Sequence, residues 1–183
     1  MSGSSQGTGP KLDPLEPSDM VNTALLGEVQ KRTAPVGTAI ELTRAKLAKE
    51  IALIGFAGAP WTVITYMIEG GSSRDFALAR QWMWSHPKAF EALLELVTDA
   101  TVEFLAVQAK AGADALMLFD SWASAVPAHM RDAVVIKPAR TIVERLRAQG
   151  FNQPIIGFPK GIGEGLIAYA DASGVDVVAI DHM

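Results

Sequence analysis

Four short apolar segments organise the hydrophobic pattern of the chain, and each ends in a polar or aromatic cluster. They lie at residues 51–58 (IALIGFAG), 114–120 (DALMLFD), 154–160 (PIIGFPK) and 175–181 (VDVVAID). The first segment shows no polar alternation, which is typical of a strand covered on both faces, as in a parallel sheet. We therefore predict one strand in each segment.

Apolar residues at helical spacing occur in much of the remaining chain. A weak pattern starts at Ser18 or Asp19, and further helices are predicted at 35–50, 74–84, 85–112, 138–150 and 161–174. The long helix 85–112 has Pro87 in its first turn and ends at Gly112. One of its faces carries Phe90, Leu93, Leu94, Val97, Thr101, Phe104, Leu105 and Gln108.

The alternation of apolar strands with helices predicts parallel βα units. A doubly wound sheet has this pattern, but a (β/α)8 barrel fits better, because the C-terminal strand ends of a barrel form its active face. The predicted strand ends carry Phe56, Asp120, Ser121, Lys160 and Asp181. A full barrel takes ~250 residues, whereas this chain has 183. We predict a partial (β/α)8 TIM barrel of about four parallel strands over residues 20–183, preceded by a flexible arm at 1–19.

Composition and charge exclude several classes of function. The net charge of -4 argues against non-specific binding to nucleic acid or to an anionic membrane. The absence of cysteine removes a disulfide framework, a thiolate zinc site and a cysteine nucleophile. The three histidines have no metal-ligand spacing, so no metal site is predicted. No secretory leader and no apolar run of ~18 residues is seen, so we expect a cytoplasmic protein.

The stretch LMLFDSWAS places a polar and aromatic cluster at the end of the second strand. Asp120 or Ser121 could cap the strand by accepting hydrogen bonds from the loop or from the next helix. Alternatively, Phe119, Ser121 and Trp122 form a pocket wall that offers a hydroxyl and an aromatic face to a ligand. Spacing alone leaves both interpretations open, since strand-to-helix turns often use Asp and Ser.

The stretch GFAGAPWTVITYMIEGGSS, residues 55–73, is ambiguous in the same way. Trp61 and Met67 are predicted core residues, whereas Tyr66 is either core or a ligand contact. The segment from Glu69 to Ser73 is either a helix C-cap or a mobile loop over a site. The glycine-rich GIGEG at 161–165 is only a weak phosphate-binding signal.

Together, GFAGAPWTVITYMIEGGSS and FDSWAS resemble the uroporphyrinogen decarboxylase family. The segments GTGPKLDP, QAKAGADALMLFDSWA, GFPKG and GVDVVAID occur in the order of that family. The resemblance implies a (β/α)8 barrel, a homodimer with facing clefts and a role in haem biosynthesis. It implies cofactor-free loss of carbon dioxide from the acetate arms of uroporphyrinogen, which gives coproporphyrinogen.

The resemblance also assigns roles to four residues. Tyr66 and Ser121 match positions that hydrogen-bond the substrate carboxylates or the reacting arm, and Tyr66 is the catalytic candidate. Phe56 and Phe119 match positions that line the apolar floor beneath the macrocycle.

The chain also departs from the family pattern. An arginine-rich RQAGRY-type motif, an acidic strand-end residue near the N-terminus and a C-terminal His-Gly motif are absent from this sequence. We therefore expect a partial decarboxylase that is inactive, or nearly so, as an isolated monomer. Half a barrel would leave two sheet edges and a large apolar flank open, which predicts self-association, partial disorder or poor solubility.

Two alternatives remain. One is a corrinoid-dependent or methionine-synthase-like methyltransferase barrel, against which the lack of cysteine argues, because those barrels hold zinc with His and Cys. The other is a non-catalytic module for porphyrin binding or dimerisation.

Overall fold

The apolar segments form one parallel sheet in the computed structural model, which describes residues 12–18 and 26–181. The strands are β1 (Ile54–Gly58), β2 (Ala115–Asp120), β3 (Ile155–Pro159) and β4 (Val177–Val178). They are hydrogen-bonded in the order β1-β2-β3-β4, with all neighbours parallel. Sequential parallel strands joined by helices form part of a (β/α)8 barrel, which confirms the predicted fold class.

Six α-helices accompany the sheet within residues 12–18 and 26–181. They are α1 (Leu26–Arg44), α2 (Pro60–Glu69), α3 (Ala77–Ser85), α4 (Pro87–Lys110), α5 (Lys137–Ala148) and α6 (Gly165–Ala172). Two 3-10 turns (Ala123–Ala125 and Ala128–Met130) and a π-helical turn (Asp132–Ile136) connect β2 to α5. None of the helices in the described part of the chain has both the length and the hydropathy of a membrane span.

The two faces of the sheet differ. One face is buried beneath the helices and includes Ala57, Leu116, Leu118 and Ile155. The opposite face is open among the described residues: Phe56 is 60% exposed and Ile54 is 47% exposed. The prediction that β1 is covered on both faces is therefore wrong for this part of the chain, since burial alternates along the strand.

Helix α4 is the central element of the helical layer. It packs against α1, α2, α3, α5 and the first two strands. The predicted apolar face is largely confirmed: Phe90, Leu93, Val97, Thr101, Leu105 and Gln108 are buried. Leu94 and Phe104 are half-buried and pack against the core. This helix thereby fixes the positions of both β1 and the elements on either side of it.

Helix α1 differs from its prediction. The sequence predicted two helices separated near Pro35, but one helix runs through that residue. A Cβ atom on Gly37 would lie 3.1 Å from Val107 Cγ1, so α1 approaches α4 closely just after the proline. Because α1 gains this packing, tertiary contact outweighs the helix-breaking tendency of Pro35.

Residues 12–18 form neither helix nor strand and lie against the end of α2. The backbone N–H of Leu12 donates to Gly70 O, and that of Leu15 donates to Met67 O, each at 2.9 Å. Residues 1–11 and 19 of the predicted arm lie outside the described residues, as do residues 19–25 of the weak helix predicted from Ser18 or Asp19. The predicted domain boundary at residue 20 stays a prediction.

Strand β4 is shorter than predicted. The sequence predicted a strand over 175–181, whereas regular pairing covers only Val177–Val178. Two further bonds extend the contact with β3: Asp176 N–H donates to Ile155 O at 2.9 Å, and Ala179 N–H donates to Gly157 O at 2.8 Å.

A helix side chain occupies the outer edge of β1. Ala59 N–H donates to Phe119 O, so the backbone polar groups at residue 59 face β2. Successive residues of a strand direct these groups to opposite sides. Residue 57 therefore faces β2 as well, and the backbone N–H and C=O of Phe56 face away from it. Phe56 N–H donates to Gln108 Oε1 at 2.8 Å, and Gln108 Nε2 donates to Phe56 O at 2.9 Å. A Cβ atom on Gly55 would lie 2.9 Å from Gln108 Oε1, so this glycine admits the amide.

This contact changes the expectation of an open edge. The carboxamide supplies one acceptor and one donor, as a neighbouring strand would, and it satisfies both backbone groups of Phe56. The prediction of an open edge is therefore wrong at this residue of β1. Capping of this kind protects an edge strand from pairing with another chain.

Replacing Gln108 should test this cap. Gln108→Leu leaves two partly buried backbone groups without this partner and should lower the free energy of unfolding by about 1–3 kcal/mol. Gln108→Glu keeps the shape of the side chain but puts a carboxyl at a position that is 2% exposed, so its loss should be greatest where that carboxyl is ionised and should shrink when acid protonates it. Urea denaturation measures the stability of both variants, and Gln149→Leu, at an exposed position, is the control. Equal stability of Gln108→Leu and the wild type would contradict the cap.

Candidate functional site

Three phenylalanine rings form a continuous surface on the open face of the sheet. Phe56 of β1 and Phe119 of β2 meet edge to face, with ring centroids 5.8 Å apart. Phe119 meets Phe158 of β3 in the same way at 5.9 Å. Edge-to-face contact is a favoured geometry for aromatic pairs. The structure thus brings together the two phenylalanines predicted as an apolar floor and adds a third.

The two predicted hydroxyl groups lie on elements next to the strands that carry these rings. Ser121 directly follows β2, in the turn that leaves the strand. Tyr66 lies on α2, the helix that follows β1. Both residues are half-buried, and neither hydroxyl has a hydrogen-bond partner within residues 12–18 and 26–181. Both groups are therefore free to bind a ligand.

A buried hydrogen bond joins α2 to the end of β2. Thr62 Oγ1 donates to Asp120 Oδ1 at 2.7 Å and accepts from Trp122 N–H at 3.2 Å. Trp61 Nε1 donates to Trp122 O at 2.8 Å. Asp120 thus accepts its hydrogen bond from α2, a helix that precedes β2, and not from the loop or the next helix as the structural interpretation had it. Ser121 lies between the two anchored residues.

Burial changes the protonation of this carboxyl group. Desolvation raises the pKa of Asp120 from 3.8 to about 7, although the hydroxyl and the backbone N–H of Thr62 partly oppose the shift. Burial also raises the pKa of Tyr169 on α6 above its usual range; the charge of Asp120 raises it further, and a hydrogen bond with Ser173 lowers it. The interior behind the strand ends therefore disfavours charge.

The segment after α2 has a structural role. Gly70 adopts a left-handed conformation with φ 71° and ends α2, as its C-cap prediction stated. Glu69 Oε1 accepts a hydrogen bond from Ala79 N–H at 3.1 Å, in the first turn of α3. Trp61 is fully buried and Met67 packs against the core, which confirms both as core residues.

Two cavities in the described part of the chain are lined by residues other than the predicted site residues. A groove of about 490 Å³ between α4 and the start of α5 is lined by residues that include Phe90, Met130 and Val134. A cavity of about 380 Å³ beside β1 is lined by residues that include Val63 and Phe104. Neither contains Phe56, Tyr66, Phe119 or Ser121. No three His, Asp or Glu side chains are placed to hold a metal in the described part of the chain.

The arrangement suits one class of ligand. A broad aromatic surface binds a flat apolar ring, and free hydroxyls at its edge bind polar substituents. The sequence model of one family, described as "Uroporphyrinogen decarboxylase (URO-D)", matches residues 4–183, nearly the whole chain.

The chain belongs to the uroporphyrinogen decarboxylase family. This confirms the resemblance carried by the stretch 55–73 and by FDSWAS.

Curated relatives agree with the family match. Proteins named uroporphyrinogen decarboxylase from Maricaulis maris, Rhodospirillum rubrum and Caulobacter vibrioides are 41%, 43% and 45% identical to the chain. Each match covers 96% of this chain and 50%, 51% and 49% of the respective relative. The chain therefore spans about half the length of the curated relatives it matches.

A solved structure supports the fold assignment. A methyltransferase from Methanosarcina mazei superposes with a TM-score of 0.64 and covers 93% of this chain and 47% of its own length. The two sequences are 15% identical, so the likeness concerns the fold alone.

Sequence reasoning missed Phe158 and the partner of Asp120. Phe158 pairs in register with Phe119. The sequence signal that could have found it is a phenylalanine at the equivalent place after the apolar run of each strand, in LMLFD and PIIGFP. Thr62 carried no signal, because 58 residues separate it from Asp120. The roles of Phe56, Tyr66, Phe119 and Ser121 toward a ligand stay predictions.

The raised pKa of Asp120 predicts a pH-dependent stability. Between pH 4 and 7 the Asp120 carboxyl keeps its proton in the folded state but has lost it in the unfolded state. The contribution of this carboxyl to the free energy of unfolding is therefore complete below about pH 4 and is lost as the pH rises to about 7. Asp120→Asn stays neutral and still accepts from Thr62. The free energy of unfolding of Asp120→Asn, measured by urea denaturation and compared with the wild type, should rise from pH 4 to 7. Asp171→Asn removes an exposed carboxyl and serves as the control for the loss of a surface charge. A constant difference from pH 4 to 7 would contradict the shift.

Proposed function

We propose that the chain is part of a uroporphyrinogen decarboxylase. This enzyme converts uroporphyrinogen III to coproporphyrinogen III by removing the four acetate carboxyls as carbon dioxide, without a cofactor, in the biosynthesis of haem and other porphyrins. The observation that carries the proposal is the aromatic surface of Phe56, Phe119 and Phe158, with Ser121 directly after β2, in a chain of this family.

The chemistry requires a binding surface more than a reactive group. Protonation of a pyrrole carbon makes the ring a cationic electron sink, which accepts the electron pair of the acetate C–C bond as carbon dioxide leaves. The protein must hold the macrocycle, stabilise the positive charge with a carboxylate and position a proton donor. Asp120 is engaged with Thr62 and only 3% exposed, so it serves the fold rather than the ring surface.

The described residues divide the binding task. Phe56, Phe119 and Phe158 supply the floor beneath the macrocycle, where apolar contact and ring stacking act. Ser121 binds a carboxylate of an acetate arm, and Tyr66, the catalytic candidate, hydrogen-bonds a substrate carboxylate or the reacting arm. The likeness to a methyltransferase concerns the fold and adds nothing to the corrinoid alternative. We further propose that the whole protein is a homodimer, as the family resemblance implies, and that it is cytoplasmic and without nucleic-acid or membrane partners, which its net charge of -4 supports.

Binding of an oxidised porphyrin tests the surface directly. Uroporphyrin keeps the carboxylate arms but does not react, and quenching of the four tryptophans reports its binding. Tyr66→Phe and Ser121→Ala should each weaken binding by roughly 3–10-fold, the effect of one lost hydrogen bond. Phe56→Ala should weaken it at least as much.

The matched control is Ser85→Ala, an exposed serine at the end of α3. It should bind as the wild type does. Equal affinity for all the variants would contradict the assigned surface. The isolated chain should bind without turnover, so coproporphyrinogen formation above background would contradict the expectation that it is inactive alone.

A further inference from the structure

We infer that Thr62 and Asp120 are positioning residues that hold Ser121 and Tyr66 in fixed relation at the strand ends. The inference rests on the proposed function, because it concerns the same surface. It assigns a purpose to a buried polar pair that touches no ligand surface.

The backbone on both sides of Ser121 is anchored. Before it, Phe119 O accepts from Ala59 N–H at 2.9 Å and Asp120 O accepts from Lys160 N–H at 3.1 Å. After it, Trp122 donates to Thr62 Oγ1 and accepts from the indole of Trp61. The hydroxyl of Ser121 has no hydrogen-bond partner within residues 12–18 and 26–181.

Thr62 connects this turn to the helix that carries Tyr66. Its hydroxyl acts once as donor, to Asp120, and once as acceptor, from Trp122. Tyr66 follows four residues later on α2, so the two side chains lie on the same side of the helix, one turn apart. A shift of the turn against α2 would therefore change the distance between the two hydroxyls that face the ligand.

Burial makes the link rigid. Thr62 is 7% exposed and Asp120 is 3% exposed, and a hydrogen bond in a site of low dielectric is strong and costly to leave unmade. The aromatic contact of Trp122 with Phe76, at 4.8 Å between ring centroids, holds the far side of the turn. The turn is thus clamped between α2 and the start of α3.

The chain offers a matched set of variants. Thr62→Val keeps the shape of the side chain but removes its donor and acceptor, whereas Thr62→Ser keeps both. Thr65→Val is the control: Thr65 is fully buried on the same helix, but its hydroxyl donates only to Thr62 O, at 2.6 Å.

Amide hydrogen exchange tests the link without a ligand. Thr62→Val should speed exchange of the Trp122 amide by about tenfold or more relative to core amides such as that of Leu118, since it loses its acceptor. Thr62→Ser and Thr65→Val should leave this ratio unchanged. Unchanged Trp122 exchange in Thr62→Val, or an equal increase in Thr65→Val, would overturn the inference.

Uroporphyrin affinity tests the consequence for the site. Thr62→Val should weaken binding by about tenfold, whereas Thr62→Ser and Thr65→Val should not. If the wild type binds and Thr62→Val binds equally well, the positioning role is wrong. If the wild type does not bind, the proposed function is wrong, and the exchange ratio still decides whether the link holds the turn.

Discussion

The buried hydrogen bond between Thr62 and Asp120 is the constraint on which the strand-end surface depends. A carboxyl group that is removed from water needs a partner, and α2 provides one only if its first turn lies over the end of β2. That placement sets the backbone of residues 119–122 against α2, with the aromatic surface on one side and the helical core on the other. The local preference of Asp120 for its neutral form follows from the same burial.

A second polar contact inside the fold plays a related part at β1. Gln108 reaches past Gly55 and bonds both backbone groups of Phe56. The ring of Phe56 therefore projects from a strand whose outer edge is already satisfied. Buried polar side chains thus fix two members of the surface, Phe56 and Ser121, through their backbones, while apolar packing supplies the bulk of the core.

Much of the fold was predictable, because four apolar runs and one amphipathic helix specify the sheet and its cover. The contacts that build the site were less so. Gln108 stood out as a polar residue on an apolar helix face, but its target on β1 depends on tertiary distance. The pairing of Thr62 with Asp120 crosses 58 residues. The course of α1 through Pro35 depends on its packing against α4, which local helix propensity does not contain.

The central claim is that a tetrapyrrole lies on the face formed by Phe56, Phe119 and Phe158. Intermolecular nuclear Overhauser effects between bound uroporphyrin and the chain measure this most directly. The account predicts contacts from the porphyrin meso protons to these three rings, with the carboxylate arms near Tyr66 and Ser121. Contacts confined to the α4–α5 groove, at residues such as Phe90 and Val134, would contradict it.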